Sequence, residues 1–127
     1  MDVATRDLVR QRASDRCEYC GLARDDAPFA AFHIEHIIPK KHGGSDDASN
    51  LALACYHCNL HKGPNLTGID PDSGAIVTLF HPRRETWDEH FVRQGLLIQG
   101  LTPTGRATVR VLMMNAVGRL ELRSELE

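Results

Sequence analysis

The stretch FHIEHIIPKKHGGSDDASNLALACYHCNLHKG, from Phe32 to Gly63, holds five of the seven histidines of this 127-residue chain, two of its four cysteines and all three of its lysines. Its ends read as regular structure. The apolar, aromatic and β-branched run Phe29 to Glu35 predicts a strand, and Leu51 to Ala54 a second, shorter one. A short helix begins near Cys55–His57 and must stop by the Gly63-Pro64 pair. Between the strands lies IIPKKHGGSDDASN, with a proline, two glycines and several Ser, Asp and Asn residues. A loop of that length inside a compact chain is usually functional. So many metal-capable side chains in one stretch point to a metal, a catalytic base, or both.

Working outward, Cys17-Glu-Tyr-Cys20 and Cys55-Tyr-His-Cys58 are two knuckles far apart in sequence. A knuckle turns sharply and so aims both of its sulfurs at one ion. Four thiolates in two such pairs suit a closed tetrahedral Zn²⁺ site, one ion per chain. The separation would staple the N-terminal segment to the short helix and add folding energy to a thin core. Two disulfides or free thiols are the alternative, disfavoured in a reducing compartment. The opening MDVATRDLVRQR is charged throughout, with no apolar export signal, and no apolar run approaches the ~20 residues of a membrane helix. A cytoplasmic protein with no membrane partner is the expectation.

Between the knuckles, His33-Ile-Glu35-His36 ends a strand, Asn50-Leu51 opens the next, and Cys58-Asn59-x-x-Lys62-Gly63 lies on the helix. This order, over about Cys17 to Gly63, resembles the HNH endonucleases, the ββα-metal nucleases, many of which carry two flanking Cys-x-x-Cys pairs. The resemblance implies an α+β fold, a zinc-stapled ββα-metal core over residues 1–64, with a mixed α/β extension over 65–127 packed on it. It implies that His36 is a general base for water, an imidazole being suited to take a proton near neutral pH. Glu35 and Asn59 would hold one Mg²⁺ or Mn²⁺ through oxygens. Asn50 would tie the long loop together and so orient the base. Two departures stand out: Glu35 replaces the more usual Asp, and Asn59 stands where the family's name implies His. Strand alternation puts His33 on the face of Glu35, a candidate beside the metal. On the helix, His61 points about 200° from Asn59, whereas Lys62, about 300° round, returns toward it and is a candidate phosphate contact. His57 sits between cysteines that already saturate zinc.

The rest of the chain is less explicit. Asp2 to Ala13 predicts a helix, AIVTLF a strand after the DPDSG turn, FVRQGLLIQGL a hairpin about Gly95, and Thr102-Pro103 a helix start, with a second short helix from Gly118. Net charge is −2, unusual for a phosphate binder, yet twelve of the fifteen basic residues are arginine. Arg83, Arg84, Arg106 and Arg110 are therefore candidate contacts to DNA, the expected partner. The expected activity is metal-dependent hydrolysis of DNA phosphodiesters. A non-catalytic zinc module that binds nucleic acid or protein is the alternative. Nothing in the residues speaks to oligomeric state.

Overall fold

The computed structural model describes residues 1–127. Helix α1 (Val3–Arg12) starts on Asp2, whose carboxylate accepts the Thr5 N–H at 2.8 Å. Arg12 in its last turn reaches across to the carbonyls of Ala48 and Leu51. Strands β1 (Phe32–His36) and β2 (Leu51–Cys55) pair antiparallel, with Phe32 opposite Cys55 and His36 opposite Leu51. Helix α2 (Tyr56–Lys62) follows β2 with no intervening loop and ends at Gly63, whose φ of 48° suits glycine. The result is a ββα unit.

All five residues of β2 are buried, because both faces of the strand are covered. Leu51 and Leu53 pack on Val9 of α1, together with Phe32 and Ile34. Ala52 and Ala54 face the opposite way, into a larger core shared with the four cysteines. The period of two along β1 and β2 thus sends one set of side chains under α1 and the other toward the knuckles. The first knuckle is strapped to β2 by Glu18, whose backbone N–H donates to the Leu53 carbonyl and whose carboxylate accepts the Leu53 N–H, both at 2.8 Å. β1 is shorter than its sequence suggests: it begins at Phe32, and Phe29, just after Pro28, is fully exposed in a turn.

The extension is built of hairpins and helices. A small hairpin pairs β3 (Thr67–Ile69), which the sequence did not advertise, with β4 (Ile76–Thr78). Leu79 and Phe80 then leave the strand and enter the core. After α3 (Trp87–His90), the hairpin β5 (Phe91–Gln94) and β6 (Leu97–Gly100) turns about Gly95. Helix α4 (Pro103–Val111) is capped by the Thr102 hydroxyl, which accepts the Gly105 N–H at 3.0 Å. Gly105 has no room for a side chain: an added Cβ would lie 2.1 Å from the His90 carbonyl oxygen. Helix α5 (Val117–Glu125) closes the chain. Tyr19, Phe80, Phe91, Ile98, Leu112 and Met114 share one core with the cysteines, so the extension packs directly over the knuckles. Trp87 donates its indole N–H to the Tyr19 carbonyl at 2.8 Å. No helix is long and apolar enough to cross a membrane.

Asp70 anchors the turn between β3 and β4. It is fully buried and accepts from Arg106 at 2.8 and 3.1 Å, from the Ser73 hydroxyl at 2.6 Å and from the Asp72 N–H at 3.2 Å. Arg106, and after it Ser73, hold this carboxyl far below the usual carboxylate range. Its stabilisation is therefore complete above the unfolded-state value of ~4 and is lost as the pH falls toward the folded-state value. Asp70→Asn should melt well below the wild type at pH 7. Paired thermal melts from pH 7 to pH 3 should show the gap narrowing with acid; a constant gap would contradict the assignment.

Candidate nuclease site

The four cysteines meet. All are free and buried, and their sulfurs lie within 4.8 Å of one another. Cys20 Sγ and Cys55 Sγ are 3.7 Å apart, close to the ~3.8 Å edge of a tetrahedron built on Zn–S bonds of 2.3 Å, and far beyond a disulfide bond of ~2.05 Å. In each pair the second cysteine's N–H points at the first one's sulfur, at 3.5 Å. The cluster is the only group of three or more Cys, His, Asp or Glu side chains close enough to share an ion. Four soft sulfurs with no open position suit a structural metal and not a catalytic one.

Beside it, Glu35 occupies a buried polar pocket. One carboxylate oxygen accepts from the Tyr19 hydroxyl, and the other from Lys62 Nζ at 3.0 Å. Lys62 is 1 % exposed and Glu35 7 %. Burial lifts the Glu35 carboxyl above its ordinary range, and Lys62 and Tyr19 recover only part of that. Burial and the neighbouring Glu35 likewise hold the Tyr19 hydroxyl high, so it stays a donor. The Lys62 ammonium also donates to the carbonyls of Ile37 at 2.9 Å and His36 at 3.3 Å. Lys62, read from sequence as a phosphate contact, is instead an internal clamp, because three acceptors converge where the end of α2 meets the end of β1.

A second clamp holds the same segment. The Asn50 side chain accepts the Ile38 N–H at 2.8 Å and donates to the Ile38 carbonyl at 3.0 Å and the Ser45 carbonyl at 2.8 Å. The backbone from His36 to Ile38 is thereby fixed from two sides. His36, the last residue of β1, turns its half-buried ring to Asp46, with Nε2 2.7 Å from Oδ1. Asp46 is also 3.2 Å from Lys40 Nζ. The hydrogen bonds from His36 and Lys40 lower the Asp46 carboxyl, so it is ionised and accepts the His36 Nε2 proton. Asp46 escaped the sequence reading because a loop carrying two adjacent aspartates does not say which of them faces the strand end.

The other candidates are spread around this centre. Asn59 is half-buried on α2, and His33 is exposed on β1. Glu35 and Asn59 carry oxygen donors of the kind a divalent cation prefers, with both oxygens of Glu35 engaged by Tyr19 and Lys62. Arg83 is ion-paired with Glu18, and Arg106 with Asp70 and Asp72. Arg84 and Arg110 are exposed. A cleft of about 550 Å³ runs from Ile37, Ile38 and Lys62 to Leu66, His81 and Arg84 of the extension.

Residues 17–65 match the family model described as HNH endonuclease, so the chain carries an HNH domain there. Over 117 residues the chain is 26% identical to the Septu protein PtuB of Bacillus thuringiensis, a match covering 87% of this chain and 40% of that protein. The chain thus spans less than half the length of this curated relative. No solved structure matches it.

The buried ion pair can be tested by removing one partner and then both. Lys62→Met leaves Glu35 unpaired and should cost about 3–5 kcal/mol. Adding Glu35→Gln should recover most of that loss. Urea denaturation of the three proteins measures both effects; additive losses would mean that the two side chains are not coupled.

Proposed function

We propose, from the HNH domain at residues 17–65, that this chain is a metal-dependent endonuclease that hydrolyses phosphodiester bonds in DNA. The observation that carries the reading is the 2.7 Å contact between His36 Nε2 and Asp46. An ionised carboxylate at Nε2 keeps the proton on that nitrogen, which leaves the Nδ1 lone pair of the neutral ring as the proton acceptor. Asp46 also faces the positive charge that the ring acquires when Nδ1 takes a proton from the attacking water. Lys62 and Asn50 clamp the backbone that carries the ring, so His36 does not have to be ordered at the moment of reaction.

Glu35 and Asn59 are the residues that would hold Mg²⁺ or Mn²⁺. Bound there, the ion supplies neutralisation of the charge that develops on the phosphate and the leaving oxygen. His33, on the face of β1 that carries Glu35, would border it. Zn²⁺ would fill the four-cysteine cluster as a purely structural ion. Arg84, at the mouth of the cleft, and the exposed Arg110 would contact substrate phosphates, with Arg83 and Arg106 contributing only what their ion pairs leave free. Such a chain would work in the cytoplasm, where the thiolates stay reduced. The engagement of Glu35 by Lys62 favours a second reading, a zinc-stabilised module that binds nucleic acid or protein without cleaving it.

Plasmid cleavage in Mg²⁺ or Mn²⁺ separates the two readings. His36→Ala should lose ~10²–10⁴-fold in rate while its fold and zinc content stay as in the wild type. Asp46→Asn should lose less, because the base remains and only its orientation and charge support are gone. Glu35→Gln should weaken divalent-ion affinity, which His36→Ala should not. Cleavage by His36→Ala at the wild-type rate would rule out this base, and no cleavage by any of the proteins would leave the binding module.

A further inference from the structure

We propose that Arg119, carried on α5, is the counter-charge that retains the metal in the cysteine cluster, so that metal retention depends on the C-terminal extension. The inference rests on the reading of that cluster as a zinc site. Four thiolates around one Zn²⁺ leave an excess of negative charge, and a buried charge is tolerated only when it is paired and hydrogen-bonded. Arg119 supplies one positive charge toward that excess, on a guanidinium hydrogen-bonded to a ligand sulfur. Arg119 Nη2 donates to Cys58 Sγ at 3.0 Å and lies 3.8 Å from Cys55 Sγ. Its Nη1 donates to the carbonyl of Leu112 at 2.8 Å and lies 3.3 Å from that of Met113, beyond the C-terminus of α4. The side chain is buried, at 7 % exposure.

The geometry suits arginine and not lysine. One edge of the planar fork is fixed by peptide carbonyls and the other faces sulfur, so the charge is preorganised against the thiolates. Partners that hydrogen-bond metal ligands tune the site, and their loss typically costs ~10–100-fold in metal affinity. Arg123, one turn further along α5, provides an internal comparison. It is similarly buried and donates to the carbonyls of Leu96 at 3.1 Å and Met114 at 2.6 Å and to Asn115 Oδ1 at 3.2 Å, but it makes no hydrogen bond to sulfur. Arg123 therefore ties α5 to the core and lies in the field of Cys20 and Cys58 without hydrogen-bonding either sulfur, so it separates the effect of nearby charge from that of the N–H···S contact.

The experiment uses the full chain loaded with zinc and follows transfer of the metal to a chromogenic chelator. Arg119→Leu should release zinc ~10–100-fold faster than wild type. Arg119→Lys should fall between the two, keeping charge but losing the fork, and Arg123→Leu should stay near wild type. In the cobalt-substituted proteins, the sulfur-to-metal absorption band should shift for both Arg119 variants and not for Arg123→Leu; this readout stands even if Arg119→Leu is too unstable for kinetics. Zinc release within twofold of wild type in both Arg119 variants overturns the proposal. Equal acceleration in Arg123→Leu overturns it too, since the effect would then be a general loosening of the extension. A wild type that binds no zinc would fail the metal reading itself, before any variant was compared.

Discussion

The convergence of four cysteine sulfurs from two distant knuckles is the constraint on which the rest of this small protein depends. Cys55 is at once the last residue of β2, the N-cap of α2 and a member of the cluster, so the strand-to-helix turn of the ββα unit is pinned where the sulfurs meet. The first knuckle brings Tyr19 with it. Because Tyr19 lies between Cys17 and Cys20, closing the knuckle delivers its hydroxyl to Glu35. Glu35 holds Lys62, and Lys62 holds the backbone of His36 and Ile37. A chain of contacts thus runs from the sulfurs to the proposed base, so a metal ion held at one end would bear on the geometry at the other.

These contacts are polar and buried, which is an expensive way to build an interior. Buried ion pairs seldom add stability over apolar residues of the same volume, although breaking one is costly. Their contribution here is better understood as position. A leucine in place of Lys62 could fill the space, but it could not fix two peptide carbonyls at the end of β1. Asn50 works in the same way on Ile38 and Ser45. A long glycine-containing loop has many conformations, and three hydrogen bonds from one amide remove most of them at the point where His36 must be aimed.

How much of this was legible in the sequence follows from the range of each signal. The ββα order was legible because it rests on local patterns: short apolar runs at β1 and β2, a Gly-Pro stop after α2, and two Cys-x-x-Cys spacings that make sense only if they meet. The helix at Pro103 and the hairpin about Gly95 were legible for the same reason. Side-chain partners were not. Alternation puts Glu35 on the inner face of β1 but is silent on what else arrives there, and Tyr19 and Lys62 come from elements 16 and 27 residues away. Strand β3 went unread because its three residues, Thr67–Ile69, include a glycine and gain their regularity from pairing with β4. Of the four candidate arginines, Arg83 and Arg106 turn to carboxylates of the protein and Arg84 and Arg110 are exposed, a division invisible in sequence because a basic residue looks the same whether it faces water or a carboxylate.

A chain of net charge −2 that engages nucleic acid would have to do so with few free cations. Arg12, Arg83, Arg106, Arg119 and Arg123 hold carbonyls, carboxylates or cysteine sulfurs of the protein itself. Much of the arginine content is therefore structural, and the long-range field available to draw in a polyanion is small. At so small a net charge, attraction from counterion release is limited, and any recognition of nucleic acid would rest on short-range contacts made after encounter. In the cleft between Ile37 and Arg84 the core and the extension face each other across a gap next to the clamped segment that carries His36. The extension thus buries the sulfur cluster on one side and supplies the far wall of that cleft on the other.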